Sequence, residues 1–222
     1  MNKIVTTFDS KYWKRTSQYT VKFWPEFLRN NWSLVLHDTP EVGVKCDKKL
    51  ESTEKNKWIE RASTYSNSIT TPNGFMKEWK KFSHKSFSQW ETYFNDPTGI
   101  MIWCDADVKF KKPLSKDVIK ERLDGKFCAY LGRDRVNTQD PLFKKRYGQY
   151  KTLTPETCFI IYDLDHTIAK DFFTAFRNVY ISMELFKNFS WCDAGAFIRT
   201  VNKFNNTNFN DITSNSEPTP LP

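Results

Sequence analysis

The chain has 222 residues, 39% hydrophobic, 16% aromatic and 27% charged, with a formal net charge of +8. That length supports one domain with a substantial core and argues against two. No window approaches the roughly 18 consecutive apolar residues of a membrane span. The five cysteines, Cys46, Cys104, Cys128, Cys158 and Cys192, include no C-x-x-C pair. This pattern speaks for reduced thiols and against a disulfide framework or a structural zinc site.

With 19 Phe, 9 Tyr and 8 Trp against 7 Gly, the core is expected to be packed with rings. Lys3 is followed only by the short apolar pair Ile4-Val5, so a secretory leader is not expected, and a soluble cytoplasmic protein is. Residues 1–212 read as one domain and 213–222, rich in Ser, Thr and Pro, as a flexible tail.

In chain order, Lys3 to Phe8 reads as a strand ending at Asp9-Ser10. Tyr12, Tyr19, Phe23 and Phe27 recur near helical spacing and predict a helix over 12–27. Trp32 to Leu36 reads as a buried strand. Strand, helix and strand make a βαβ unit and imply a parallel sheet. Val42 to Asn67 reads as helix plus surface loop, 71–74 as a turn and 75–94 as a helix. Ile100-Met101-Ile102-Trp103 is apolar throughout, as expected of a central strand covered on both faces. A helix at 115–123, strands at 127–131 and 159–162, and helices at 166–180 and near Met183 complete the pattern. The fold class is therefore α/β, a single Rossmann-like domain whose mostly parallel central sheet is flanked by helices.

Charge is unevenly spread. Residues 101–153 hold 13 Lys/Arg against 7 Asp/Glu, and 154–222 hold 5 against 8. A basic middle is either a solvated surface or the mark of an anionic partner. The long segment 133–154, with Arg135, Lys144, Lys145, Arg146 and Lys151, is where such a partner would bind.

Cys104-Asp105-Ala106-Asp107 follows the central strand directly. Ligands of open α/β sheets bind at the C-terminal edge of the strands. In an extended segment residues two apart share a side, so both carboxylates would face one small volume. There they would repel, and one would take up a proton unless a cation joined them. Hard divalent ions prefer such oxygen ligands. A bare D-x-D also fits an exposed turn; the apolar strand before it favours a site.

Lys81-Phe82-Ser83-His84-Lys85-Ser86-Phe87 and Ile102 to Val108 together resemble bacterial and phage glycosyltransferases of the GT-A type. In those proteins a helix with an F-[SA]-H-K-x-F pattern precedes a strand ending in D-A-D. The resemblance continues through Ala129 to Arg133, through Glu156-Thr157-Cys158-Phe159 where the family has E-T-G-F, and to Trp191-Cys192-Asp193 where it often has W-H-D. It covers Lys81 to Asp193, about half the chain. Cys158 stands in place of a glycine and Cys192 in place of a histidine.

The resemblance implies a metal-dependent transfer of a sugar from a nucleotide-sugar donor, a UDP-sugar by family expectation, to a hydroxyl acceptor. Asp107 would bind Mn²⁺ or Mg²⁺, and Asp105 would contact metal, ribose or both. Lys85 would lie near the donor phosphates, and Thr6, Thr7 and Asp9 would line the nucleotide pocket. Glu156 and Asp193 would activate the acceptor or stabilise the reacting sugar. Taken alone, each of these acids reads equally as a helix cap or a surface ion pair. Trp191 is read as core, His84 as a structural hydrogen-bonding residue and Cys104 as a small buried hydrophobe. The acceptor is a glycan, a lipid-linked sugar or a hydroxymethylated base of phage DNA, the last drawing on the basic segment. A non-catalytic binding protein on the same scaffold is the remaining alternative.

Overall fold

The computed structural model describes residues 1–28, 32–67, 78–133, 154–187 and 191–212. Seven strands form one sheet: β1 (Lys3–Thr6), β2 (Ser33–His37), β3 (Lys48–Leu50), β4 (Ile100–Cys104), β5 (Cys128–Arg133), β6 (Thr154–Asp163) and β7 (Phe209–Asp211). Their spatial order is β3-β2-β1-β4-β6-β5-β7. β1 pairs in parallel with β2 and β4, β2 with β3, and β5 with β7; β6 runs antiparallel to both β4 and β5. The α/β class with a mostly parallel sheet is thus borne out.

Side-chain alternation divides the apolar residues between two faces. Val5, Val35, Met101 and Trp103 face one way. Helices α3 (Thr53–Asn67), α4 (Trp79–Asn95), α6 (Ala169–Ile181) and α7 (Asp193–Val201) supply the rings on that side, among them Trp58, Phe87, Trp90, Phe172 and Phe197. Ile4, Leu34, Ile102 and Cys104 face the other way, against α2 (Trp24–Leu28), Phe110, Leu114 and α5 (Lys116–Leu123). The result is a three-layer sandwich with the sheet buried on both faces. The expectation of a ring-packed core holds: Trp90, Trp103, Phe127 and Phe172 are fully buried. Truncating one such ring to Ala costs about 3–5 kcal/mol. All five cysteines are free.

Three local expectations need correction. The helix expected over 12–27 is broken into α1 (Ser10–Arg15), two single 3₁₀ turns and α2. Thr16 and Thr20 sit at the breaks with non-helical backbone angles. The Thr20 hydroxyl donates to the carbonyls of Ser17 and Ala106, so a β-branched polar residue competes with the helix ladder. Strand β3 falls within a segment read as helix and loop; Lys48 and Lys49 make it a charged edge strand. Helix α7 was not anticipated. It is buried almost all round, so it lacks the polar stripe by which a surface helix is read. The turn at 71–74, most of the basic segment and the tail 213–222 lie outside the described residues.

Candidate active site

The C-terminal ends of the parallel strands β1, β2 and β4 gather at one edge of the sheet, the edge where ligands of this architecture bind. β6 meets them there. Between Tyr130 and Leu131 of β5 the pairing jumps from Ile160 to Glu156, so Thr157, Cys158 and Phe159 bulge away from β5, while Phe159 stays paired with Cys104 of β4. A bulge re-aims side chains beside it. Here it lets the Asp105 amide donate to the Cys158 carbonyl (2.7 Å) and turns the Thr157 hydroxyl toward Asp193, to which it donates (2.6 Å). The Trp103 indole donates to the Thr157 carbonyl (3.0 Å) and pins the bulge from beneath.

The chain does not stay extended after Cys104. The Val108 amide donates to the Asp105 carbonyl (3.1 Å), closing a tight turn through Ala106 and Asp107. This corrects the expectation of an extended segment, and the two carboxylates take different partners. Asp105 lies on the α4 side, where its Oδ2 accepts from Lys85 Nζ (2.6 Å). Asp107 is exposed, and its Oδ2 accepts from the Tyr12 hydroxyl (2.7 Å). The two acids still feel each other: Asp107 is among the charges that disfavour ionised Asp105.

Lys85 sits between Asp105 and Asp193, with Nζ 3.6 Å from Asp193 Oδ2. Asp193 is 4% exposed and opens helix α7, where a negative charge is favoured by the helix N-terminus. Burial pushes Asp105 up to about 6, against the pull of Lys85; Asp193 and Asp107 push the same way as burial. Burial pushes Lys85 down, yet Asp193 and Asp105 outweigh it and hold the ammonium well above its ordinary range. Asp105 Oδ1 is sealed from solvent and has no hydrogen-bond partner. An acceptor left unpaired in such a place costs about 1–3 kcal/mol.

The residues expected to line a nucleotide pocket stand at the end of β1. Thr6 is fully buried and its hydroxyl is unpartnered; Thr7 is half-buried. Asp9 caps α1 by accepting from the Tyr12 amide (2.6 Å), which brings the Tyr12 ring to Asp107. Glu156 stands half-buried opposite Leu131, beside Cys158, whose thiol burial and Glu156 push up to about 12. Trp191 is 2% exposed and packs edge-on against Phe186, as a core residue does.

Sequence reading missed Tyr12 as the partner of Asp107, although an Asp three residues before it is an N-cap signal that fixes its direction. It also missed a second cluster behind the site. His37 ends β2 and Asp38 follows it, Ser52 precedes α3 and Lys55 lies in its first turn, and His84 and Glu91 come from α4. Lys55 Nζ lies 2.6 Å from Asp38 Oδ2 and 3.2 Å from His84 Nδ1. The Ser52 amide donates to Asp38 Oδ1 (2.8 Å) and the Ser52 hydroxyl to Glu91 Oε1. His37 bridges Asp38 (3.1 Å) and Glu91 (3.1 Å), the second at ion-pair distance but off the line of a good hydrogen bond. His84 is pushed down to about 4 by burial and by Lys55, so it stays neutral and accepts through Nδ1. That matches the structural role expected for it.

Among the described residues no group of three or more His, Cys, Asp or Glu could by itself hold a metal ion. The fit to a cation is of another kind. Asp105 offers an unpaired oxygen, Asp107 an exposed carboxylate, and the one ammonium here is shared by Asp105 and Asp193. Mg²⁺ and Mn²⁺ are commonly held by one or two carboxylates, with substrate phosphates and water completing the shell. The residues fit a cation that arrives with a diphosphate better than one resident in the protein.

No protein-family model and no curated protein matches the sequence. The fold does match solved structures. Mouse xyloside xylosyltransferase 1, in its apo form, superposes with a TM-score of 0.57 at 10% identity, covering 95% of this chain and 84% of that one. The apo structure of WbbM, a bifunctional glycosyltransferase, gives 0.50 at 12% identity, covering 95% of this chain but 38% of that one. The chain has the α/β fold of GT-A glycosyltransferases.

Proposed function

We propose that the chain is a glycosyltransferase that binds a nucleotide sugar together with a divalent cation at the Asp105–Asp107 turn. The observation that carries this reading is the unpartnered, sealed Oδ1 of Asp105 beside an excess of carboxylate. A fold keeps a buried unpaired acceptor when a ligand fills its valence. A diphosphate would be repelled by this cluster alone, so a cation is needed to join them. Asp107 and Asp105 Oδ1 would hold it. Once bound, such an ion offsets the charge that develops on a departing nucleotide diphosphate.

The chain's own residues divide the remaining work. Lys85 pairs with Asp105 and Asp193, holds both in place, and presents its charge to the phosphates. Tyr12 orients Asp107. Asp193, buried and fixed by Thr157, suits stabilisation of positive charge on the reacting sugar, since glycosyl transfer passes through an oxocarbenium-like state. Glu156, on the outer rim of the bulge, suits activation of the acceptor hydroxyl. Thr6 and Thr7 line the nucleoside side of the cleft.

The test is thermal unfolding with a panel of nucleotide sugars, with and without Mn²⁺, on wild type and Asp107→Ala. A donor present at about 100 times its dissociation constant adds roughly 2.7 kcal/mol of stability. One donor should raise Tm only with the metal, and the effect should vanish in Asp107→Ala. Absence of any shift in folded protein would move the reading to a non-catalytic scaffold. The DNA acceptor rested on the basic segment, most of which lies outside the described residues, and no observation at the site favours it over other acceptors.

A further inference from the structure

On the sheet face away from α4, the segment leaving Asp107 walls off a small cavity of about 170 Å³. Phe110, Leu114, Ile119, Leu131, Cys158 and Phe159 line its interior, with Val108 and Val118 at its sides. It adjoins the acidic turn at two places. Val108 follows Asp107 directly, and Cys158 is the residue whose carbonyl holds the Asp105 amide. Its walls are anchored. The Trp24 indole donates to the Val108 carbonyl (3.0 Å), the Trp32 indole to the Leu114 carbonyl (3.1 Å), and the Leu114 amide to the Phe27 carbonyl (3.0 Å). A cavity held this way is preformed, as small-molecule sites usually are.

Size and lining restrict the occupant. An apolar cavity of about 150 Å³ in another protein stays dry and takes benzene. The lining here is nearly devoid of polar atoms, so it suits neither the phosphates nor the ribose of a nucleotide. Two cations stand at its edge, Lys109 and Arg122. Among the described residues neither has a carboxylate within ion-pair distance.

We infer that this cavity is the acceptor subsite, and that it takes a single apolar group of ring or isoprene size whose anionic substituent is met by Lys109 and Arg122. The acceptor is then a small anionic amphiphile carrying the hydroxyl to be glycosylated, not a bare glycan. This rests on the transferase reading above and names its substrate class. Val108, next to Asp107, and Cys158, whose carbonyl accepts from the Asp105 amide, put one wall of the cavity against the acidic turn.

Phenyl phosphate is the probe, titrated into the full chain and followed by saturation-transfer NMR, with phenol and inorganic phosphate as half-probes. Phenyl phosphate should bind at least tenfold more tightly than either. Val118→Phe, which puts a ring into the cavity, should abolish binding. Arg122→Gln, at a partly exposed position, should lower affinity about tenfold, to the level of phenol. The nucleotide-sugar shift with Mn²⁺, read on the same proteins, should be unchanged in both variants. Equal affinity for inorganic phosphate, or full binding by Val118→Phe, would overturn the cavity as a site while leaving the donor reading intact. Phenyl phosphate binding in a wild type that shows no donor shift would overturn the acceptor role, because the transferase reading would have failed with the cavity still occupied.

Discussion

Lys55 and Lys85 both stand among acidic groups against helix α4, and the two clusters end differently. Around Lys55 every carboxylate oxygen of Asp38 and Glu91 has a hydrogen-bond or ion-pair partner, Glu91 Oε2 only the latter, 3.1 Å from His37 Nε2. Hydrogen bonds from His37, Lys55 and Ser52 more than offset burial and hold Asp38 well below the usual carboxylate range. Around Lys85 the sum does not close. Asp105 is pushed up to about 6, and one of its oxygens is left without a partner. A closed network stabilises a fold, whereas an open one stores strain that a ligand can relieve. Burial and charge are similar in both places; completeness of pairing distinguishes a strut from a site.

The largest test of that contrast is Lys55→Met. It leaves Asp38 buried without its ammonium and should cost about 3–5 kcal/mol in urea unfolding, while the folded fraction keeps its metal-dependent donor shift. A loss under 1 kcal/mol would break the comparison at its structural end.

His84 offers the next effect. Its folded value near 4 lies below its unfolded value of 6.5, so the unfolded chain binds the proton first. Stability should therefore fall as pH drops from 6.5 toward 4, by up to roughly 3 kcal/mol. His37 acts in the opposite sense. Burial would lower it, but Asp38 and Glu91 prevail and raise it, so its contribution is present below the unfolded value and lost as pH rises through the folded one. Urea midpoints of wild type and His84→Gln across this range should differ most at the acidic end.

Paired amide substitutions sharpen the contrast in sign. Asp38→Asn should destabilise, because the fold favours that charge. Asp105→Asn should raise stability by roughly 1 kcal/mol at neutral pH, because the fold disfavours that charge, and should abolish the donor shift. Calorimetry checks both; two changes of the same sign would erase the distinction. The smallest effect belongs to Tyr12→Phe. Losing one half-exposed hydrogen bond to Asp107 should cost under about 1 kcal/mol of stability and weaken donor binding by only a few-fold, as read in the same thermal titration.

Much of this arrangement is legible in the residue order. The apolar run Ile100 to Trp103 announces a central strand, and the acids after it announce the ligand edge. Lys85, Asp105 and Asp193 are named by the pattern of short motifs and do come together. What escaped reading is long-range. Nothing local says that Thr16 and Thr20 break a helix, since the Thr20 hydroxyl's partner, Ala106, lies 86 residues away. Nothing local says that His37, Lys55 and Glu91 meet, because each alone looks like a surface residue. The bulge at Thr157 is equally silent in sequence, being a mismatch between two strands and not a property of either.

The strand order carries one more consequence, for synthesis. β5 precedes β6 in the chain, yet β6 lies between β4 and β5 in the sheet. A nascent chain that has just produced β5 has no edge on which to place it, and β4 waits with an apolar, unpaired flank. Exposed edges of that kind are where partly made proteins associate wrongly. Asp193, which completes the cluster around Lys85, arrives later still. The acidic site therefore assembles only after β4, β5 and β6 have all been made, and the chain passes through its most adhesive form before it gains the capacity to bind there.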